Sequence, residues 1–232
     1  MKLTAEQAYE EAAGWVERLA STHEDFCDWW AVPAGPKDPF VSFSDRQAIV
    51  SRIQADDQMD QEFPGAPSQG SNGVLLTNAG SEKEWAKRGK VSLSITPSAG
   101  DVRLGVSGIE KLYSPPVDVV WALLKALVSD TRTRFAQTNI KQRVINELLL
   151  YSVDRAPFPH REFLGWMGYV PQALTTEQVP NAAKLERQGK GTLILSTPLL
   201  DLSDPAAIEQ ANQVEMSLVD LDLLPVTDPY LS

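Results

Sequence analysis

The spacing of apolar residues changes several times along this chain, and each change marks an element. Ala8, Tyr9, Ala12, Ala13, Val16, Leu19 and Ala20 recur at helical spacing. Thr4-Ala5-Glu6-Gln7 precedes them as a capping box, so the spacing predicts a helix from Thr4 to about Thr22. Val32-Pro33-Ala34-Gly35-Pro36 forces irregular backbone. Ser44 or Asp45 then caps a second helix, expected to run to about Ala55. Residues 56–73 are rich in acid, Gly, Pro and Ser and read as a mobile or partner-ordered loop.

The period then shortens to two. Val74–Asn78 is a strand. Val91, Leu93 and Ile95 alternate with polar residues, as do Val102, Leu104 and Val106, and Pro97–Asp101 separates them as a hairpin turn. Pro115-Pro116 opens a helix over 117–129 with Val120, Leu123, Leu124, Leu127 and Val128 as its buried stripe. Thr131–Thr138 reads as a strand and Gln142–Leu150 as a short helix. Gly165–Val170 and Gly191–Thr197 read as strands. Asp204-Pro205 starts a last helix with Ile208, Ala211, Val214 or Glu215, Leu218 and Leu221 inward. One-sided strands mixed with helices favour an α+β fold, mostly antiparallel sheet packed with helices, as a single domain over residues 1–232. The stretch 56–73 is the one plausible internal boundary.

Composition narrows the class. At 232 residues and 43% hydrophobic the chain can build a large core without staples. Cys27 is the only cysteine, which excludes an internal disulfide and fits a reducing compartment. The N-terminus lacks an apolar signal region, and the stretch Val119–Val128 is broken by Lys125 and too short to span a bilayer. A cytoplasmic protein is expected.

Charge is segregated. Residues 1–70 hold 13 acids and 5 bases, residues 71–170 hold 9 and 13, and residues 171–232 hold 9 and 3, within a net of −10. Such a chain is a poor general partner for nucleic acid or anionic membrane, and its field favours a cationic partner. The sharpest binding candidate is Asp56, Asp57, Met59, Asp60 and Glu62, four carboxylates around an apolar anchor, with Trp30 as a second anchor. One of Trp29 and Trp30 is expected in the core.

No residue pattern assembles catalytic, cofactor or metal chemistry. His23 and Cys27 share a helix face if the first helix continues, but Glu24, Asp25 and Asp28 oppose thiolate formation. His160 follows Pro157-Phe158-Pro159 without a nucleophile motif. Gln188-Gly189-Lys190-Gly191-Thr192 has the wrong order and context for a phosphate loop and reads as a turn into a strand. Lys83, Lys87, Arg88 and Lys90 are expected to pair with the surplus acids.

Trp29-Trp30, the strand Val91–Thr96, Gly165-Trp166-Met167-Gly168-Tyr169, Gly189-Lys190-Gly191-Thr192-Leu193-Ile194, Asp204-Pro205 and Leu223-Leu224-Pro225 occur in that order. This layout resembles the immunity protein 52 family of bacterial polymorphic toxin systems across nearly the whole chain. The shared motifs are structural, so no functional residue is carried over. The resemblance implies a non-catalytic antitoxin without cofactor. Its partner would be a cognate basic, restriction-endonuclease-like nuclease toxin, often of a type VI secretion system. From the charge, neither nucleic acid nor membrane is expected as a partner, and homo-oligomerisation stays open. Two other classes stay open from the residues: a small hydrolase using His160 with a carboxylate, and a nucleic-acid binder using Lys83–Lys90 with Arg132 and Arg134.

Overall fold

Thr4 caps the first helix, α1 (Ala5–Ala20), in the manner its sequence predicts. Its hydroxyl accepts from Gln7 N at 3.2 Å, and Gln7 Oε1 accepts from Thr4 N at 2.9 Å. The buried stripe is Ala5, Ala8, Ala12, Trp15 and Leu19, so Trp15 rather than Val16 faces inward. α1 stops at Ala20. There the Ser21 and Thr22 hydroxyls donate to the carbonyls of Arg18 and Leu19, a side-chain alternative to the helical ladder. A 3-10 turn, Glu24–Phe26, follows.

The computed structural model describes residues 3–33, 35, 37–62 and 73–228, and for residues 57–62 the backbone alone. The chain divides into two compact units, Met1–Val119 and Val120–Ser232. Each combines helices with antiparallel sheet, so the α+β class expected from the pattern is the one observed.

After α1 the first unit places β1 (Trp30–Ala31), β2 (Val41–Ser42), α2 (Arg46–Glu62), β3 (Val74–Thr77), α3 (Glu82–Lys87), β4 (Ser92–Thr96), β5 (Asp101–Gly105) and α4 (Ile109–Leu112). The strands form one antiparallel sheet in the order β2-β1-β3-β4-β5. Its register puts Ala31, Leu76, Leu93, Val74 and Ile95 on one face, all buried. Trp30, Thr77, Ser92, Leu75, Ser94 and Arg103 lie on the other. Asp45 Oδ1 accepts from Ala48 N at 3.1 Å and starts α2, which buries Ile49, Val50 and Ile53. α2 was expected to end near Ala55 but continues to Glu62, so the first seven residues of the expected loop 56–73 are helical. Residues 63–72 lie outside the described set.

α5 (Pro116–Leu127) begins in the first unit and continues in the second, burying Leu123 and Leu124. The second unit continues with β6 (Ala136–Gln137), β7 (Lys141–Val144), β8 (Glu147–Leu150), α6 (Tyr151–Asp154), β9 (Met167–Val170), β10 (Lys184–Gln188), β11 (Gly191–Leu195) and α7 (Pro205–Asp220). Its main sheet runs β10-β11-β9-β6, all antiparallel. Leu164, Val170, Val179, Ile194, Val214, Leu218 and Leu224 form a core between this sheet and α7. Asp204 caps α7 by accepting from Ala206 N at 2.9 Å.

Two glycines set this core. Gly165 has φ +73°, and a Cβ there would lie 1.9 Å from the Thr138 carbonyl oxygen. A Cβ on Gly191 would lie 2.2 Å from the Val170 carbonyl oxygen and 2.4 Å from the Tyr169 ring. Only a residue without Cβ permits these approaches. The turn from Gly189 into β11 matches the expected turn into a strand.

One element is corrected in kind. Gln142–Leu150, expected as a short helix, is the antiparallel hairpin β7–β8, paired from Lys141↔Leu150 to Val144↔Glu147. A short apolar run does not distinguish helix from strand by spacing alone, and here cross-strand pairing decides. The strand expected over Thr131–Thr138 shrinks to Ala136–Gln137. β10, Lys-Leu-Glu-Arg-Gln, is an edge strand and carries no apolar alternation.

Candidate functional site

The two predicted anchors part company in the first unit. Trp29 is buried, 3% exposed, and its indole N–H donates to the Phe26 carbonyl at 2.9 Å. Trp30, next in the chain, is half-buried on the polar face of the sheet. Its indole covers Gly80, where a Cβ would come within 2.9 Å of the ring nitrogen. Leu75, 47% exposed, and Arg103 share that face. Asp56 is exposed on α2. With Ala31, Ile49, Arg52, Ile53 and Val74 it lines a cavity of about 30 Å³, room for about one water. Ala31 and Trp30 point to opposite faces of β1, so Asp56 and Trp30 belong to different faces of the sheet. The backbone of α2 carries Asp57, Met59, Asp60 and Glu62 onward in helical form, and their side chains lie outside the described residues.

His23 and Cys27 do not form a pair. α1 ends before them, and Cys27 Sγ approaches the carbonyls of Ala20 and His23 at 3.5 and 3.8 Å. His23 caps the 3-10 turn instead, its Nδ1 accepting from Asp25 N at 3.2 Å and lying 3.4 Å from Asp25 Oδ2. Asp25 is the hub of this region. It accepts from Tyr113 Oη at 2.9 Å and from Arg88 Nε at 3.3 Å. Burial, then the hydrogen bond to Asp25, pushes the Tyr113 hydroxyl well above the ordinary tyrosine range. Arg88 is thereby committed to an acid of the preceding segment, the pairing expected of the basic cluster. Lys83, Lys87 and Lys90 remain exposed, with Lys90 Nζ 6.0 Å from the Trp85 ring centre. Arg132 folds back onto Asp130 at 2.6 Å. The polar centre also holds Asn78, fully buried, whose Nδ2 donates to the carbonyls of Asp25 and Arg88.

In the second unit His160 is half-buried, with its ring edge-on to Phe158 at 6.5 Å. Its carbonyl accepts from Thr227 N at 2.9 Å.

Two polar networks there escaped the sequence reading. Glu215, on the apolar side of α7, is 1% exposed. Its Oε1 accepts from Leu164 N at 2.8 Å, Gly165 N at 2.9 Å and Tyr151 Oη at 3.1 Å. Burial pushes its carboxyl above the ordinary range against the pull of those three donors. Burial, then the Glu215 charge, pushes the Tyr151 hydroxyl up as well. With Tyr151 and Glu215 both buried, this network ties α7 to the turn before β9. The ambiguity between Val214 and Glu215 in the helical stripe was the one available signal, since both face inward. The second network is partly exposed: Glu186 on β10 joins Lys125, Lys184 and the Trp121 indole N–H. Hydrogen bonds from Lys125, then Lys184, hold its carboxyl down to about 2.

Among the described residues no group of three or more His, Cys, Asp or Glu side chains could hold a metal ion. None of the described helices is long and apolar enough to cross a membrane. No family model matches the chain, and no curated protein matches it.

Proposed function

We propose that this chain is a non-catalytic immunity protein that binds and neutralises a cognate nuclease toxin. The observation that carries the reading is charge. Residues 1–119, the span of the first unit, contain 18 acids and 11 bases, and the run Asp56–Glu62 rides on a helix rather than a loop. A helix offers carboxylates at fixed spacing, which lowers the ordering cost of an interface. A nuclease must present positive potential to DNA, and an acidic surface complements it. The resemblance to the immunity protein 52 family supports the same reading. Its motifs lie on or beside β1, β4, β9 and β11, at the cap of α7 and just after α7.

Asp56, Asp57, Asp60 and Glu62 supply steering in this reading, and Met59 on the same helix supplies an apolar anchor; Trp30, expected as a second anchor, lies on the other face of the sheet and drops out of this contact. The test is co-expression with the product of the adjacent gene. The neighbour, toxic alone, becomes tolerated and co-purifies with this chain. A neighbour that stays toxic and does not co-purify would sink the reading, as would turnover of a substrate through His160.

A further inference from the structure

The hairpin β7–β8 turns through Ile145-Asn146, and Ile145 is 90% exposed, more than any other large hydrophobic residue described. It is also held at φ +56°. The first position of a two-residue hairpin turn favours glycine, asparagine or aspartate in that conformation, and a β-branched residue is strained there. Folding gains little from this side chain, since solvent surrounds it. An exposed apolar group in a disfavoured backbone conformation points to a role outside the folded monomer.

The rest of the hairpin has two unlike faces. Gln142, Val144, Glu147 and Leu149 share one, by register and alternation. That face is fastened to the second unit at Gln142 and Leu149, while Glu147 beside the turn is exposed. Gln142 Nε2 donates to Asp201 Oδ1 at 2.8 Å, Gln142 Oε1 accepts from Leu202 N at 2.7 Å, and Leu149 is buried. The opposite face carries Lys141, Arg143, Leu148 and Leu150, with Leu148 51% exposed. Both cations are exposed, and neither is in an ion pair among the described residues. Val153, 75% exposed on α6, follows directly. Asp154, on α6, accepts the Leu150 N–H at 2.7 Å.

We infer that this hairpin is a docking element that seats Ile145 and Leu148 in an apolar groove bordered by carboxylates on the toxin. The inference rests on the function proposed above and adds a contact of opposite charge to the acidic one. Two cations beside two aliphatic side chains on a fastened hairpin complement carboxylates around an apolar slot. Nuclease centres that use metal ions gather such carboxylates. A lipid surface fits less well: the whole chain carries −10, and anionic headgroups repel it.

The test is titration calorimetry of the purified toxin from the adjacent gene against the wild-type chain, Ile145→Gly, and the double variant Lys141→Glu/Arg143→Glu. Glycine suits the turn, and circular dichroism checks that each variant is folded. Both variants are expected to bind at least ten-fold more weakly than wild type. Wild-type binding that neither variant weakens overturns the hairpin inference and leaves the proposed function standing. Failure of the wild-type chain to bind overturns the proposed function, and this partner with it. Sedimentation with vesicles of phosphatidylcholine and phosphatidylserine that depends on Ile145 overturns the protein partner in favour of a membrane.

Discussion

Replacing Glu215 by leucine tests whether the buried carboxylate organises the second unit. The substitution keeps an inward-facing side chain of similar reach on α7 but removes the acceptor shared by Leu164 N, Gly165 N and Tyr151 Oη. Tyr151 keeps a second partner, Asn212 Oδ1 at 3.0 Å. The two backbone donors lose the acceptor they share, and an unsatisfied buried donor costs about 1–3 kcal/mol. Removing a buried carboxylate returns part of its desolvation cost, so a net loss of about 2–4 kcal/mol is expected. Urea unfolding followed by tryptophan fluorescence measures it as a lower midpoint at unchanged slope. Glu215→Gln keeps an amide oxygen for the same donors and is expected to lose less than about 1.5 kcal/mol. The two variants also separate in pH dependence. A carboxyl whose folded value is raised above 4.5 contributes stability that is complete below 4.5 and is lost as pH rises through the raised value. Wild type therefore shows that decline, and Glu215→Gln lacks it. A leucine variant as stable as wild type, or a glutamine variant as damaged as the leucine one, refutes the reasoning.

Four further outcomes follow from the same structure. Glu186, held down to about 2, contributes stability that is present above 4.5 and lost as pH falls toward 2. Glu186→Gln should flatten acid unfolding across that window by about 1 kcal/mol or less, because the pairs are partly exposed and screened. Gly165→Ala forces a Cβ into the Thr138 carbonyl at a left-handed position and is expected to cost more than about 3 kcal/mol, read as loss of soluble folded protein or a much lower melting temperature. Ile145→Gly should leave stability unchanged or raise it by up to about 1 kcal/mol by releasing left-handed strain, and a marked loss would show that Ile145 supports the fold. Reversing the charge of Asp56, Asp57, Asp60 and Glu62 together should slow association with the proposed toxin partner and weaken its salt dependence in stopped-flow measurements, and an unchanged rate removes these residues from the proposed interface.

Local chemistry was enough to read most elements. The Thr4 capping box, the Asp204-Pro205 start of α7 and the alternation through β4 and β5 each depend on neighbours within a few residues, so they are visible without a fold. Gly165 and Gly191 could be read as sheet glycines, but the carbonyls that exclude a Cβ there come from Thr138 and Val170. The candidate interface was legible only as composition: acids near Met59, and one tryptophan of a pair left outside the core. That Asp56 lies on a helix, and on a different face of the sheet from Trp30, needed the register of β1 against β3.

The sequence by itself determined the α+β class of the fold, its charge and the starts of its main helices, because these follow from residue type and short-range spacing. Tertiary structure alone decided that Glu215 is a buried acceptor, that Asp25 gathers Arg88 and Tyr113 from 63 and 88 residues away, and that Gln142–Leu150 is a hairpin with an exposed isoleucine at its tip. The physical reason is that hydrogen bonds between distant segments and burial depend on which surfaces meet, and no local pattern encodes a partner that far along the chain.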